Sequence, residues 1–339
     1  MIALDKILLT RWPMLLLSVF LAVGSVAQAQ DNYPASEDTP APAAGAVPPA
    51  QPAFSQQQLD QMLAPIALYP DPLLSQVLMA STYPLEVVEA ARWSKANPNL
   101  GGDDAVRAVQ QMNWDPSVKS LVAFPRVLQV MDGNLEWTER LGDAFLAQQT
   151  QVMDTVQNLR RKAYAAGNLR SNDQARVETQ GEIIVVEPAT PEVIYVPYYD
   201  PLVVYGAWWW PDYPPFFWVP WPCYYVHSGF AWGVGIIITT GFFFGDCDWH
   251  HHRVAVVNVN NFYYNRMLRD GRRVRPFVNA APGVWHHDPD HRRGVPYRDL
   301  SLRSQYGRTS ASPEFRRDFR GRQRQLNHRG PVGGGGQGR

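Results

Sequence analysis

Cysteine is scarce in this 339-residue chain, which carries only Cys223 and Cys247. That count excludes a disulfide-dense scaffold. Lysine is missing altogether from residues 250–339, where 18 arginines stand. Between Pro201 and Gly245 the ionisable side chains, tyrosines and Cys223 aside, are Asp212 and His227. The signatures of common enzyme classes are also missing. There is no GxSxG nucleophile elbow, no HExxH helix and no Walker phosphate loop, so the chain reads as noncatalytic. Carboxylates such as Glu86, Glu89, Asp103 and Asp104 fit helix caps and wet helix faces as well as they fit a glycan-cleaving acid–base pair.

What the chain has in excess is aromatic rings. Fifteen fall within the 35 positions from Tyr198 to Trp232, among them Trp208, Trp209, Trp210, Trp218, Trp221 and Trp232. Such a run needs a dry place: a protein core, a partner or a lipid interface. The uncharged stretch 229–245 that follows has three readings. As a helix its 17 residues would rise about 25 Å, short of the ~30 Å hydrocarbon core. As strands, 236–240 would turn at Gly241 and return through Phe242–Phe244. The third reading is a buried, non-membrane element.

The N-terminus has a secretory pattern. Lys6 and Arg11 precede the apolar stretch Met14–Val23, and Ala27-Gln28-Ala29 is a small-x-small cleavage site. Export to the periplasm or the envelope membrane is expected. In an oxidising compartment Cys223 and Cys247 would pair as a disulfide, with two buried thiols as the other reading.

Net charge is zero, but the average hides polarity. Residues 30–249 hold 11 basic and 24 acidic side chains, net −13; residues 250–339 hold 18 and 6, net +12. The basic arm asks for an anionic partner or for the acidic body itself. Arg272, Arg273, Arg275, Arg292, Arg293, Arg316 and Arg317 are the candidate anion contacts, because guanidinium pairs bidentately with phosphate. Export points to anionic envelope lipid or peptidoglycan, with no nucleic acid expected.

The domain reading is a signal peptide at 1–29, a Pro/Ala-rich linker at 30–54 and a helical domain at 55–170. A β meander at 171–206, an aromatic, Gly-rich apolar segment at 207–249 and a disordered Arg/His-rich tail at 250–339 follow. The fold class is therefore α+β. Asp71-Pro72, Asp115-Pro116 and Phe124-Pro125 read as helix starts, since proline suits the first helical turn. Trp137, Leu141, Phe145, Val152, Val156, Leu159 and Ala163 make one apolar stripe, which predicts a single long helix over 135–166. Ile183–Val186, Val193–Val196 and Val203–Tyr205 predict three strands.

Asp248, His250, His251 and His252 are the candidate ligands for a divalent metal, although three consecutive histidines cannot all point one way. No other cofactor is implied.

The phrases LAPIALYPDPLLSQVLMASTYPLEVVEAARW (63–93), MNWDPSVKSLVAFPRVLQVMD (112–132) and IIVVEPATPEVIYVPYYDP (183–201) carry a resemblance. The chain is similar to bacterial exported proteins built on the domain of unknown function 3300, over roughly 57–250. The resemblance implies an exported, Gram-negative-type protein and assigns no activity, ligand or catalytic residue. The expected function is envelope association without catalysis. A periplasmic metal-binding or peptidoglycan-binding module is the alternative, with Trp208 to Trp221 stacking on sugars.

Overall fold

The computed structural model describes residues 52–218, 230–238, 245–256 and 283–307. The signal sequence, most of the linker, Trp221, Cys223 and five of the candidate arginines (Arg272, Arg273, Arg275, Arg316, Arg317) lie outside them.

Eight helices come first: α1 (Gln56–Leu63), α2 (Asp71–Ser81), α3 (Pro84–Ala96), α4 (Gly102–Ala108), α5 (Pro116–Leu121), α6 (Pro125–Gly133), α7 (Leu135–Ala147) and α8 (Gln149–Ala165). Ser55 and Gln58 close a capping box on α1. Proline opens α2, α3, α5 and α6, where its missing N–H costs nothing. Helix α2 is buried on nearly every side, as its apolar composition requires, and it forms the axis of the bundle. Helix α7 crosses it so closely that a Cβ on Gly142 would collide with the Ser81 carbonyl.

The expected 135–166 helix is two helices. Gln148 leaves helical geometry (φ −141°, ψ 46°), and its side chain clamps both backbone groups of Phe54. The apolar stripe survives this break, with all seven predicted positions buried. Tertiary hydrogen bonding to the entering chain overrides helical continuity here.

The sheets are small: β1 (Ala175–Gln180), β2 (Ile183–Pro188), β3 (Val193–Ile194), β4 (Pro197–Tyr199), β5 (Phe230–Trp232), β6 (Ile236–Ile237), β7 (Gly245–Asp248), β8 (Arg253–Val256) and β9 (Gly283–Val284). β1 and β2 form an antiparallel hairpin. The rest is no meander, because β3 pairs with β6 and β4 with β5 across long sequence separations. A fourth sheet, the only three-stranded one among the described residues, runs β7-β8-β9. Val203–Tyr205 is not a strand. Asp200 accepts from Leu202 N at 2.9 Å and Pro201 starts the short helix α9 (Pro201–Val204), so cap and proline outweigh β-branching. The described parts of 229–245 are strand (β5, β6 and the start of β7) and irregular chain, with no helix, which sets aside the helical reading there. No helix among the described residues is long and apolar enough to cross a membrane.

Sheet and bundle meet at one buried ion pair. The Asp71 carboxylate does not cap α2; it turns inward, with Oδ1 2.6 Å from Arg160 Nη1 and Oδ2 accepting from Trp249 Nε1 at 2.8 Å. Arg160 is wholly enclosed and also donates to the carbonyls of Ala67, Tyr69 and Ile184 at 2.8–2.9 Å. Gln157 clasps both backbone groups of Ile184, so α8 fixes the core-facing edge of the hairpin. Burial raises the Asp71 carboxyl above its ordinary value despite Arg160.

Candidate binding surface

The aromatic segment is neither free nor enclosed. Tyr199 and Tyr205 both donate to the Ala64 carbonyl, at 2.9 and 2.6 Å, and anchor the start of the segment in the core. Their burial drives both phenols well above ordinary tyrosine. The chain then runs over α1 and α8. The indole N–H groups of Trp209 and Trp210 donate to the same oxygen, Asp60 Oδ2, at 2.8 and 2.7 Å. Asp60 is only 4% exposed, and its other oxygen accepts from Gln56. Lys162 Nζ stands 3.8 Å above the Trp209 ring, a cation–π contact. Trp208 lies against Trp209 and donates to the Tyr213 carbonyl. Trp218 sits edge-on to Trp137 at 5.1 Å. Trp232 packs on Phe230, which stacks on Tyr199.

The tryptophans are thus half-buried supports. The side chains they leave facing solvent are Leu202 (56% exposed), Val203 (47%), Tyr213 (37%) and Phe217 (50%). These outward positions were not among the tryptophan contacts expected from the sequence, and neither was Asp60. A carboxylate one helical turn after a capping box gives no hint of two distant indoles.

The tail departs from expectation. Residues 283–307 are folded onto the bundle as a strap containing α10 (Pro289–Arg292) and α11 (Leu300–Tyr306). Arg292 is 1% exposed, and its Nη2 lies 2.7 Å from Asp143 Oδ1 while the guanidinium covers the Tyr297 ring at 4.1 Å. Asp143 Oδ2 accepts from Arg298 N at 2.7 Å. Arg293 pairs with Glu89, and His291 Nδ1 lies 2.8 Å from Glu86 Oε1. Arg292 and Arg293 therefore pair with the acidic body of their own chain, Arg292 fully buried and Arg293 half-buried. For the same reason Glu86 and Glu89 are strap anchors, not a solvent-facing acid–base pair. Glu86 also accepts from Asp115 N at 2.6 Å, and burial raises its carboxyl.

The histidine cluster disperses. His251 Nδ1 turns to Asp248 at 2.9 Å, His252 Nε2 reaches Asp154 on α8 at 2.8 Å, and His250 points to solvent. The left-handed backbone at His252 (φ 50°) separates it from its neighbours. Among the described residues no group of three His, Cys, Asp or Glu side chains could hold a metal ion, so Asp248, His250, His251 and His252 do not form the expected centre. The Cys247 Sγ lies 3.7 Å from the Asp71 carbonyl; its expected disulfide partner, Cys223, is outside the described residues.

No solved structure matches this chain. An Escherichia coli (strain K12) protein described as "Uncharacterized protein YacH" is 37% identical over 342 residues, covering 80% of this chain and 54% of that protein. The chain thus spans about half the length of this relative. The family described as "Protein of unknown function (DUF3300)" matches residues 55–287, which takes in the bundle, the sheets and the aromatic segment. With a match over that span, the chain belongs to the DUF3300 family.

Proposed function

We propose that this chain is an exported, noncatalytic attachment protein of the bacterial envelope, which meets an anionic lipid surface through its aromatic face. The observation that carries the reading is the clamped loop. Asp60 and Lys162 hold the indoles in place, so that Leu202, Val203, Tyr213 and Phe217 stay outside without cost to the core. Exposed apolar side chains on a pinned loop suit shallow insertion at a lipid interface. The secretory pattern of the first 29 residues supports an exported location for that surface.

Flotation of the full chain with vesicles containing anionic lipid tests this. Wild type should float with the vesicles, and the double variant Leu202→Ser, Phe217→Ser should lose about tenfold in partitioning, as expected from removing two large apolar groups. Equal flotation of both would refute the lipid contact. Sedimentation with purified sacculi but not with vesicles would replace lipid by peptidoglycan.

A further inference from the structure

A groove of about 640 Å³ opens on the hairpin side of the molecule, within the range of small-molecule sites. One wall is apolar. Strand β2 turns Ile184 and Val186 into the core, so Ile183 and Val185 face the groove, where Ile194 and the prolines at 188 and 191 extend them. The other wall is β7 with the turn after it, carrying Asp246, Cys247, Asp248 and His250.

The charges lining the groove cancel one by one, with a single exception. Glu187 holds Arg176, which also lies 3.3 Å from Glu178. Asp248 holds Arg253 at 2.8 Å, and Asp71 on the floor holds Arg160. Asp246 is left over. Its recorded hydrogen bond comes from Cys247 N at 2.8 Å, and among the described residues no cationic side chain pairs with it. Asp246 is exposed to water at the groove, yet the protein packed around it, and then the nearby Asp71, push its carboxyl up to about 7. A carboxylate in that position gains from a cation that arrives from outside. An anion finds no match, because Arg176, Arg253 and Arg160 are already held. The Cys247 thiol is raised well above its ordinary value by burial, so it stays protonated and offers no thiolate.

We infer that this groove binds an alkylammonium group, its charged head on Asp246 and its aliphatic stem along Ile183 and Val185. The head supplies the counter-ion the carboxylate lacks, and the stem covers an apolar wall that water wets poorly. The inference is independent of the lipid reading, since the aromatic face contributes no residue to the groove.

Calorimetric titration of the full chain decides it. Hexylammonium and N-acetyl-lysine amide are the two cationic probes, a free amine and a peptide side chain; hexanoate and hexanol are the controls. At about pH 8 at least one ammonium probe should bind about tenfold or more tighter than hexanol, the scale of one charge-assisted hydrogen bond, and hexanoate should bind worst. The tighter of the two cationic probes identifies the source. Affinity should fall toward about pH 6 as Asp246 takes up a proton. Asp246→Asn should lose most of the preference for charge, and Asp246→Glu should keep part of it. Equal binding of hexanol and hexylammonium, or an unchanged preference in Asp246→Asn, would overturn the assignment. The wild-type probe series stands alone if either variant misfolds.

Discussion

Replacing Arg160 by methionine tests where the fold keeps its tightest coupling. The guanidinium is fully enclosed, donates to three carbonyls on two separate segments and faces the Asp71 carboxylate at 2.6 Å. Methionine fills comparable volume but donates nothing, which leaves Asp71 buried without its counter-charge. Removing one partner of a buried pair costs about 3–5 kcal/mol. The Ala67 and Tyr69 carbonyls add about 1 kcal/mol each, while Ile184 O keeps its bond from Gln157. The expected total is about 5–7 kcal/mol, a large share of the ~5–15 kcal/mol by which domains are stable. Asp71→Asn should also cost about 3–5 kcal/mol, because the Arg160 guanidinium cannot shed its charge and stays buried without its carboxylate, even though the amide can still accept from Trp249. The double variant Arg160→Met, Asp71→Asn should recover part of the loss, since no uncompensated charge remains. Urea unfolding followed by tryptophan emission measures all three. A cost below about 1 kcal/mol for Arg160→Met, or strict additivity in the double variant, would refute the coupling.

Gly142→Ala should lower the urea midpoint by the equivalent of about 1–3 kcal/mol with an unchanged slope, because the added methyl meets the Ser81 backbone and neither helix can yield cheaply. Asp143→Ala leaves Arg292 buried without its carboxylate, so the strap should lift. Limited trypsin digestion should then cut at Arg292 or Arg293 at least tenfold faster than in wild type. His287 stacks on Tyr83 at 5.1 Å, and burial, then Arg292, lower its pKa from the usual 6.5 to about 3. Between those values the unfolded chain binds a proton the folded strap refuses, so this residue's contribution to stability falls as pH drops from about 6.5 toward 3. His291 acts in the opposite sense, being raised by Glu86, so the measurement compares wild type with His287→Gln; the variant should lose less stability on acidification.

Local signals in the sequence were legible where one residue decided the outcome. Pro72, Pro116 and Pro125 mark real helix starts, and the stripe from Trp137 to Ala163 marks a real buried face. What escaped was set by partners far along the chain. Gln148 breaks a helix to hold Phe54, 94 residues away. Val193–Ile194 finds its strand partner beyond position 235 rather than in the next turn. Asp71 looked like a cap because an aspartate before proline usually is one, yet it is drawn inward by Arg160 and Trp249. Asp60, the acceptor for two indoles, carries no local mark at all.

The strap shows why composition misled most in the tail. A run rich in arginine and poor in apolar residues reads as solvated when its charge has no known destination. Here the destination is the chain's own acidic half. Asp143 and Glu86 sit at 0% exposure, a position unpaired carboxylates rarely occupy, so their burial already presupposes a cation or proton donor from elsewhere. The opposite net charges of the two halves, −13 and +12, are then partly an internal pairing. It follows that any outside anion competing for Arg292 must first displace a carboxylate held at 2.7 Å in a site with little water, while one competing for half-buried Arg293 must displace Glu89, also at 2.7 Å. The lipid contact proposed above therefore rests on the exposed apolar side chains beside the pinned tryptophans and not on this part of the tail, which its own carboxylates already occupy.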